Sequence, residues 1–147
     1  MILLNRIQCP DGTILTSRHR HDFQSHIQED GRYYAVDGGL SYQRVLFSDN
    51  EFINLSITSE DDFEKIRENM EWGTYGKDGK SPLKYKKLKD LDSDHIFSIL
   101  ETQKQLSQET REIFRRELNN RFFGVQKITS PTAQIFKLKS IETDNGK

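Results

Sequence analysis

Three of the four histidines of this chain, His19, His21 and His26, lie in the run Thr13-Ile-Leu-Thr-Ser-Arg-His-Arg-His-Asp-Phe-Gln-Ser-His26, where Arg18 and Arg20 alternate with the first two. Imidazoles exchange protons near neutral pH and ligate metals, and guanidinium forks hold phosphates. Read as one strand over 13–23, side-chain alternation sends Leu15, Ser17, His19, His21 and Phe23 to one face and Thr16, Arg18, Arg20 and Asp22 to the other. That arrangement leaves several chemistries open. A metal site would need a third ligand beyond His19 and His21, from Cys9, His26 or His95, and the paired Cys or His spacings of known metal sites are absent. Acid–base work on a phosphodiester would need His95 opposite the pair. A phosphate site would gather Arg18, Arg20, Arg32 and Arg44 on one sheet face, with Tyr33, Tyr34 and Tyr42 as stacking surfaces. The plainer alternative is a solvated face whose arginines pair with Asp22, Asp30 and Asp37.

A second concentration is Trp72-Gly-Thr-Tyr-Gly-Lys-Asp-Gly-Lys80. Its glycines permit a loop of backbone N–H groups that could cradle an anion, with Lys77 and Lys80 adding charge. It is not a P-loop, because Gly73 stands one residue too far from Gly79-Lys80-Ser81 and Pro82 follows where a helix should start. The alternative has Gly73 ending a helix while Trp72 and Tyr75 fill the core. The basic run Lys84-Tyr-Lys-Lys-Leu-Lys89 reads as an extended edge with lysines facing solvent, a guard against edge pairing that also suits an anion.

Composition narrows the choices. The chain has 147 residues, 22 Lys and Arg against 23 Asp and Glu, and a net charge of -1, which argues against a nucleic-acid partner and requires any anion site to be local. Its size fits one domain, expected over residues 1–142 with a flexible tail at 143–147. One Trp, five Tyr and nine Phe argue for a folded chain despite 31% charged residues. Cys9, the single cysteine, can make no internal disulfide and suits a reducing compartment as a buried free thiol. No apolar run is long enough to span a membrane, and Met1-Ile-Leu-Leu is too short for a signal peptide, so the expected location is the cytoplasm.

The elements that must position these residues follow from the punctuation. Ile2 to Gln8, Thr13 to Phe23, Arg32 to Val36 and Leu40 to Phe47 read as strands, separated by turns at Pro10-Asp11-Gly12, Glu29-Asp30-Gly31 and Asp37-Gly38-Gly39. The spacing predicts a helix over about 60–72, capped by Ser59 and closed at Gly73, with Phe63, Ile66 and Met70 on one face. A second helix starts at Asp92 with Leu91 stapled to Ile96, and Ile99 and Leu100 continue its face. A third runs from Ser107 through Ile113, Phe114, Leu118 and Phe122 to a Gly124 cap, and Gln134 to Ile141 reads as a last strand. The expected fold is α+β, an N-terminal antiparallel β-meander packed with about three C-terminal helices.

Cys9-Pro-Asp-Gly-Thr-Ile-Leu-Thr-Ser-Arg-His-Arg-His-Asp22, Val36-Asp-Gly-Gly39 with Tyr42 and Arg44, Trp72 to Gly79, Pro82-Leu-Lys-Tyr85, Leu88-Lys-Asp-Leu91 and His95-Ile96 together resemble a family of small uncharacterised proteins of tailed bacteriophages and prophages. The likeness covers about residues 1 to 105, and the stretch from about Gly124 departs from it. The resemblance brings no catalytic residue, metal or cofactor. It implies a phage accessory protein acting in the host cytoplasm on a host defence, through a nucleotide signal or a defence protein. The combined expectation is a non-enzymatic protein holding a phosphate-bearing, nucleotide-like ligand on Arg18, His19, Arg20, His21, Tyr42, Arg44, Trp72, Tyr75 and Lys77. The alternatives are a metal- or histidine-dependent phosphodiesterase and a protein–protein inhibitor of a host defence enzyme. A homo-oligomer stays open.

Overall fold

The computed structural model describes residues 1–124, which fall into two compact units, Met1–Asp90 and the chain from Leu91 onward. The expected strand at Gln134 to Ile141, the domain limit at 142 and the tail at 143–147 lie outside the described residues. The fold is α+β, with an N-terminal antiparallel strand set in three sheets and three α-helices toward the C-terminus among the described residues.

In the first unit, β1 (Ile2–Gln8) runs through the middle of its sheet. It pairs antiparallel with β2 (Ile14–Ser17) on one side, and with β6 (Ile53–Asn54) and β7 (Ile57–Thr58) on the other. The β1–β2 hairpin closes on the expected Pro10-Asp11-Gly12 turn, where the Gly12 N–H donates to the Cys9 carbonyl at 2.9 Å. A second sheet orders β3 (Gln24–Ile27), β4 (Tyr33–Asp37) and β5 (Arg44–Phe47), all antiparallel. The two sheets share a core of Ile7, Cys9, Leu15, Tyr34 and Val36, with Val45 and Phe52 packed against it. Alternation explains the choice, since Tyr34 and Val36 stand two apart on β4 and so share a face. The Cys9 thiol is free and buried, and burial pushes its pKa up.

The strand expected over Leu40 to Phe47 shortens to β5, because the Ser41 and Tyr42 N–H groups fold back onto the Gly38 carbonyl at 3.0 and 3.3 Å, and two larger expectations fail in this unit. Thr13 to Phe23 is not one strand: β2 stops at Ser17 and a tight turn over Arg18–Asp22 leads into β3. The cause is local, because Asp22 offers the backbone a better partner than a ladder does. Its carboxylate accepts the Arg18 N–H at 2.8 Å, its carbonyl accepts the Ser17 hydroxyl at 2.7 Å, and its N–H donates to the His19 carbonyl at 2.9 Å. Likewise, the helix expected over 60–72 is only α1, Phe63–Asn69. Asp62 occupies its N-cap position, while Ser59 instead accepts a hydrogen bond from the N-terminal ammonium at 3.1 Å. Ile66 and Met70 are buried as expected, but Met70 already has extended backbone. From there Glu71–Thr74 forms β8, paired antiparallel with β9 (Lys84–Lys87), so Gly73 sits inside a strand rather than at a helix end. A 3₁₀ turn over Leu88–Asp90 follows, with Leu88 buried.

The second unit is an antiparallel pair, α2 (Ser93–Thr102) and α3 (Gln108–Phe123). Ser107 caps α3 by accepting the Thr110 N–H at 3.1 Å, as its position predicts. Two arginines of α3 tie it to both ends of α2. Arg111 donates to the carbonyls of Leu100 and Gln103, satisfying acceptors a helix end leaves open, and Arg121 reaches the Ser93 hydroxyl at 3.0 Å. Leu91 and Ile96 are both buried, in keeping with a staple, and Ile113, Phe114 and Leu118 form the buried face of α3. Phe122 departs from that face and is 61% exposed, against Phe97 of α2. Gly124 is the C-cap residue of α3, as expected, with right-handed helical backbone at φ -69° and ψ -20°.

Candidate anion-binding site

The turn over Arg18–Asp22 presents His19, Arg20 and His21 to solvent, and among the described residues none of these side chains makes a hydrogen bond or ion pair. Behind the turn lies the loop after β4. The Gly39 N–H donates to the Ser17 hydroxyl at 2.9 Å, and a Cβ on Gly39 would collide with the His19 backbone. Gly39 has φ +55° as well, so both space and backbone demand glycine here. Asn5, fully buried on β1, fixes the loop: its side-chain NH₂ donates to the carbonyls of Asp37, Gly39 and Tyr42 at 3.0 to 3.1 Å. Val36-Asp-Gly-Gly39 and the His/Arg run are therefore brought together through backbone.

Most arginines expected to gather for a phosphate are already held by carboxylates. Arg44 donates to Asp37 at 2.8 Å, and the Tyr42 hydroxyl donates to the same oxygen at 3.3 Å. Arg32 is engaged by Asp30, Asp49 and Glu51 at 2.8, 3.2 and 2.7 Å. Tyr34, expected as a stacking surface, is buried in the core, and its hydroxyl donates to Asp49 at 2.6 Å. Asp30 and Asp37 are two of the three acids the plainer reading named for the arginines, while the third, Asp22, accepts from the Arg18 backbone N–H and the Gln24 amide instead.

Arg18 is different. It donates to Glu71 at 2.7 Å while Arg6 of β1 donates to the other Glu71 oxygen at 2.8 Å. Burial works to raise the Glu71 carboxyl, and the two guanidinium hydrogen bonds outweigh it, so its pKa lies below the ordinary value. The Arg18 guanidinium also stacks 3.6 Å from the centre of the Tyr85 ring. Register explains the meeting: Glu71 pairs with Lys87 and Gly73 with Tyr85, so all four share one face of the β8–β9 hairpin. The bare Gly73 leaves room for the Tyr85 ring, which a Cβ there would crowd at 3.2 Å.

Asp22 stands close by. Burial pushes its carboxyl up, but the Arg18 N–H, the Gln24 amide and the nearby charges of His19 and Arg18 hold it below the usual range.

The loop joining β8 to β9 spends four of its backbone donors on itself. The Gly76 N–H donates to the Thr74 hydroxyl, Gly79 to the Gly76 carbonyl, Lys80 to the Asp78 carboxylate and Ser81 to the Tyr75 carbonyl, at 2.8 to 3.2 Å. The ammonium groups of the loop and of β9 are further donors for an anion. Lys77, Lys80, Lys84, Lys86 and Lys87 are exposed, and among the described residues none has an ion pair. Tyr75 is 56% exposed, so it does not fill the core, and Trp72 is half-buried on the opposite face of β8 from Glu71.

The remaining histidines are His26 and His95. His26, on β3, bonds Asp11 at 2.7 Å and Thr13 at 3.2 Å. The His26 bond, aided by the Thr13 N–H, brings the Asp11 carboxyl down to about 2. His95 belongs to the second unit, in the first turn of α2. Among the described residues no group of three His, Cys, Asp or Glu side chains could hold a metal ion, and no helix is long and apolar enough to cross a membrane.

Glu71, Asn5, Arg6 and Tyr85 escaped the sequence reading. Glu71 was hidden by continuing the helix one turn too far. The signal that would have found it is the switch at Met70 from helical spacing to a run able to pair with Lys84–Lys87. No family model, curated protein or solved structure matches this chain.

Proposed function

We propose that this chain binds a phosphate-bearing, nucleotide-like ligand without transforming it, on the surface where the Arg18–Asp22 turn meets the β8–β9 hairpin. One observation carries the reading. Arg18, fixed between Glu71 and the Tyr85 ring, links the two motif clusters of the sequence within one unit, and among the described residues Arg20, His19 and His21 on its turn and Lys77, Lys80, Lys84, Lys86 and Lys87 on the hairpin make no ion pair. Unpaired guanidinium and ammonium groups beside aromatic rings suit a phosphate attached to a base. Arg44 is the weaker member of the set because Asp37 already neutralises it.

In the phage setting that the resemblance implies, such a protein would act in the host cytoplasm by sequestering a nucleotide signal of host defence. Among the described residues His19 and His21 make no hydrogen bond or ion pair of the kind that would orient them for a phosphodiesterase.

Native mass spectrometry against a panel of cyclic and linear nucleotides tests the proposal. The expected result is a retained nucleotide adduct that Arg20→Ala loses with unchanged circular dichroism. A wild-type protein that retains no member of the panel would contradict it.

A further inference from the structure

We infer that the β8–β9 hairpin takes a single-stranded nucleic acid, so that the ligand of this surface is a chain of phosphates rather than one nucleotide. The inference deepens the proposed function and rests on it.

The distribution of charge argues for a chain. The segment from Lys77 to Lys87 carries Lys77, Lys80, Lys84, Lys86 and Lys87 against Asp78 alone, in a protein whose net charge is -1. A lone phosphate meets one or two ammonium groups, whereas the charge here is spread over both faces of the hairpin: Lys84 and Lys86 share the face of Trp72, Lys87 shares that of Tyr85, and Lys77 and Lys80 lie in the loop. The positions of the rings argue for bases. Tyr75 and Tyr85 are 56% and 43% exposed, and Tyr85 is already stacked by Arg18, so its plane is held in place to extend that stack. Strand pairing sets Trp72 across from Lys86 on the other face, an aromatic and a cation side by side.

Lysines that only guard an edge strand would need no exposed rings among them. An acidic peptide would use the lysines but not the rings, which makes it the competing occupant to exclude.

Fluorescence anisotropy of the full chain with a labelled oligothymidylate decides between them, with ATP and poly-glutamate as competitors. The expected result is salt-dependent binding. In Lys84→Ala/Lys86→Ala the slope of log affinity against log salt falls by about 1.4, at about 0.7 per phosphate contact on a single strand. Tyr75→Ala weakens binding about tenfold, the loss of one stacked base. Both sites are exposed, and Lys77→Ala in the loop repeats the charge test away from the strand ladder. Binding of ATP without the oligonucleotide would overturn the inference and leave the proposed function standing. No binding of either would overturn both. Poly-glutamate competing as well as an unlabelled oligonucleotide, or Tyr75→Ala binding as wild type does, would overturn it in favour of a purely charge-driven acidic partner.

Discussion

The arginines around the first two sheets and the lysines of the β8–β9 hairpin carry the same charge in opposite circumstances. Arg6, Arg18, Arg32 and Arg44 each meet a carboxylate, and Asp30, Asp37, Asp49 and Glu71 serve them at 2.7 to 3.2 Å. Lys77, Lys80, Lys84, Lys86 and Lys87 meet none among the described residues. The first group uses its charge to fasten loops and strands, and the second keeps its charge for solvent or a partner. Arg20, exposed on its turn and unpaired among the described residues, belongs with the lysines. A count of basic residues cannot make this distinction, and the position of each acid can.

Removing a fastening group should cost stability, and the largest loss is expected at Asn5. Asn5→Ala strips hydrogen bonds from three carbonyls of the loop behind the His/Arg turn and should cost about 3 kcal/mol in urea unfolding, since buried acceptors are left unmet. A loss below about 1 kcal/mol would mean that the loop is held by other contacts.

Glu71→Gln comes next, at about 2 kcal/mol, because Arg6 and Arg18 lose their shared anion but retain partial access to water. Its pH dependence carries a sign. The folded-state pKa of Glu71 lies below its ordinary 4.5, so its contribution is complete above that value and disappears as pH falls through the lowered one. Wild type and Glu71→Gln should therefore differ most at neutral pH and converge in acid. A difference that grows in acid would show that Glu71 is not held ionised by the arginines.

Much of the fold was legible because apolar and aromatic runs bounded by turn residues mark Ile2–Gln8 and Tyr33–Asp37, where propensity and tertiary pairing point the same way. The candidate site was legible as residues but not as geometry. Alternation at Arg18–Asp22 looked like a strand, and only the competition of the Asp22 side chain for its neighbours' N–H groups shows why it is a turn. The partner of each arginine was legible where acid and base stand near in sequence, as for Arg32 with Asp30. It was not for Arg18 and Glu71, 53 positions apart, which only the sheet and hairpin together bring into contact.

The most direct test of the division between paired and unpaired cations is a nitrogen-15 amide NMR titration of the full chain with ATP. The account predicts shifts concentrated in residues 18–22 and 75–87, with the Arg32 neighbourhood, residues 30–33 and 48–51, unmoved. Shifts centred on the Arg32 cluster, or no shifts at millimolar ATP, would contradict it.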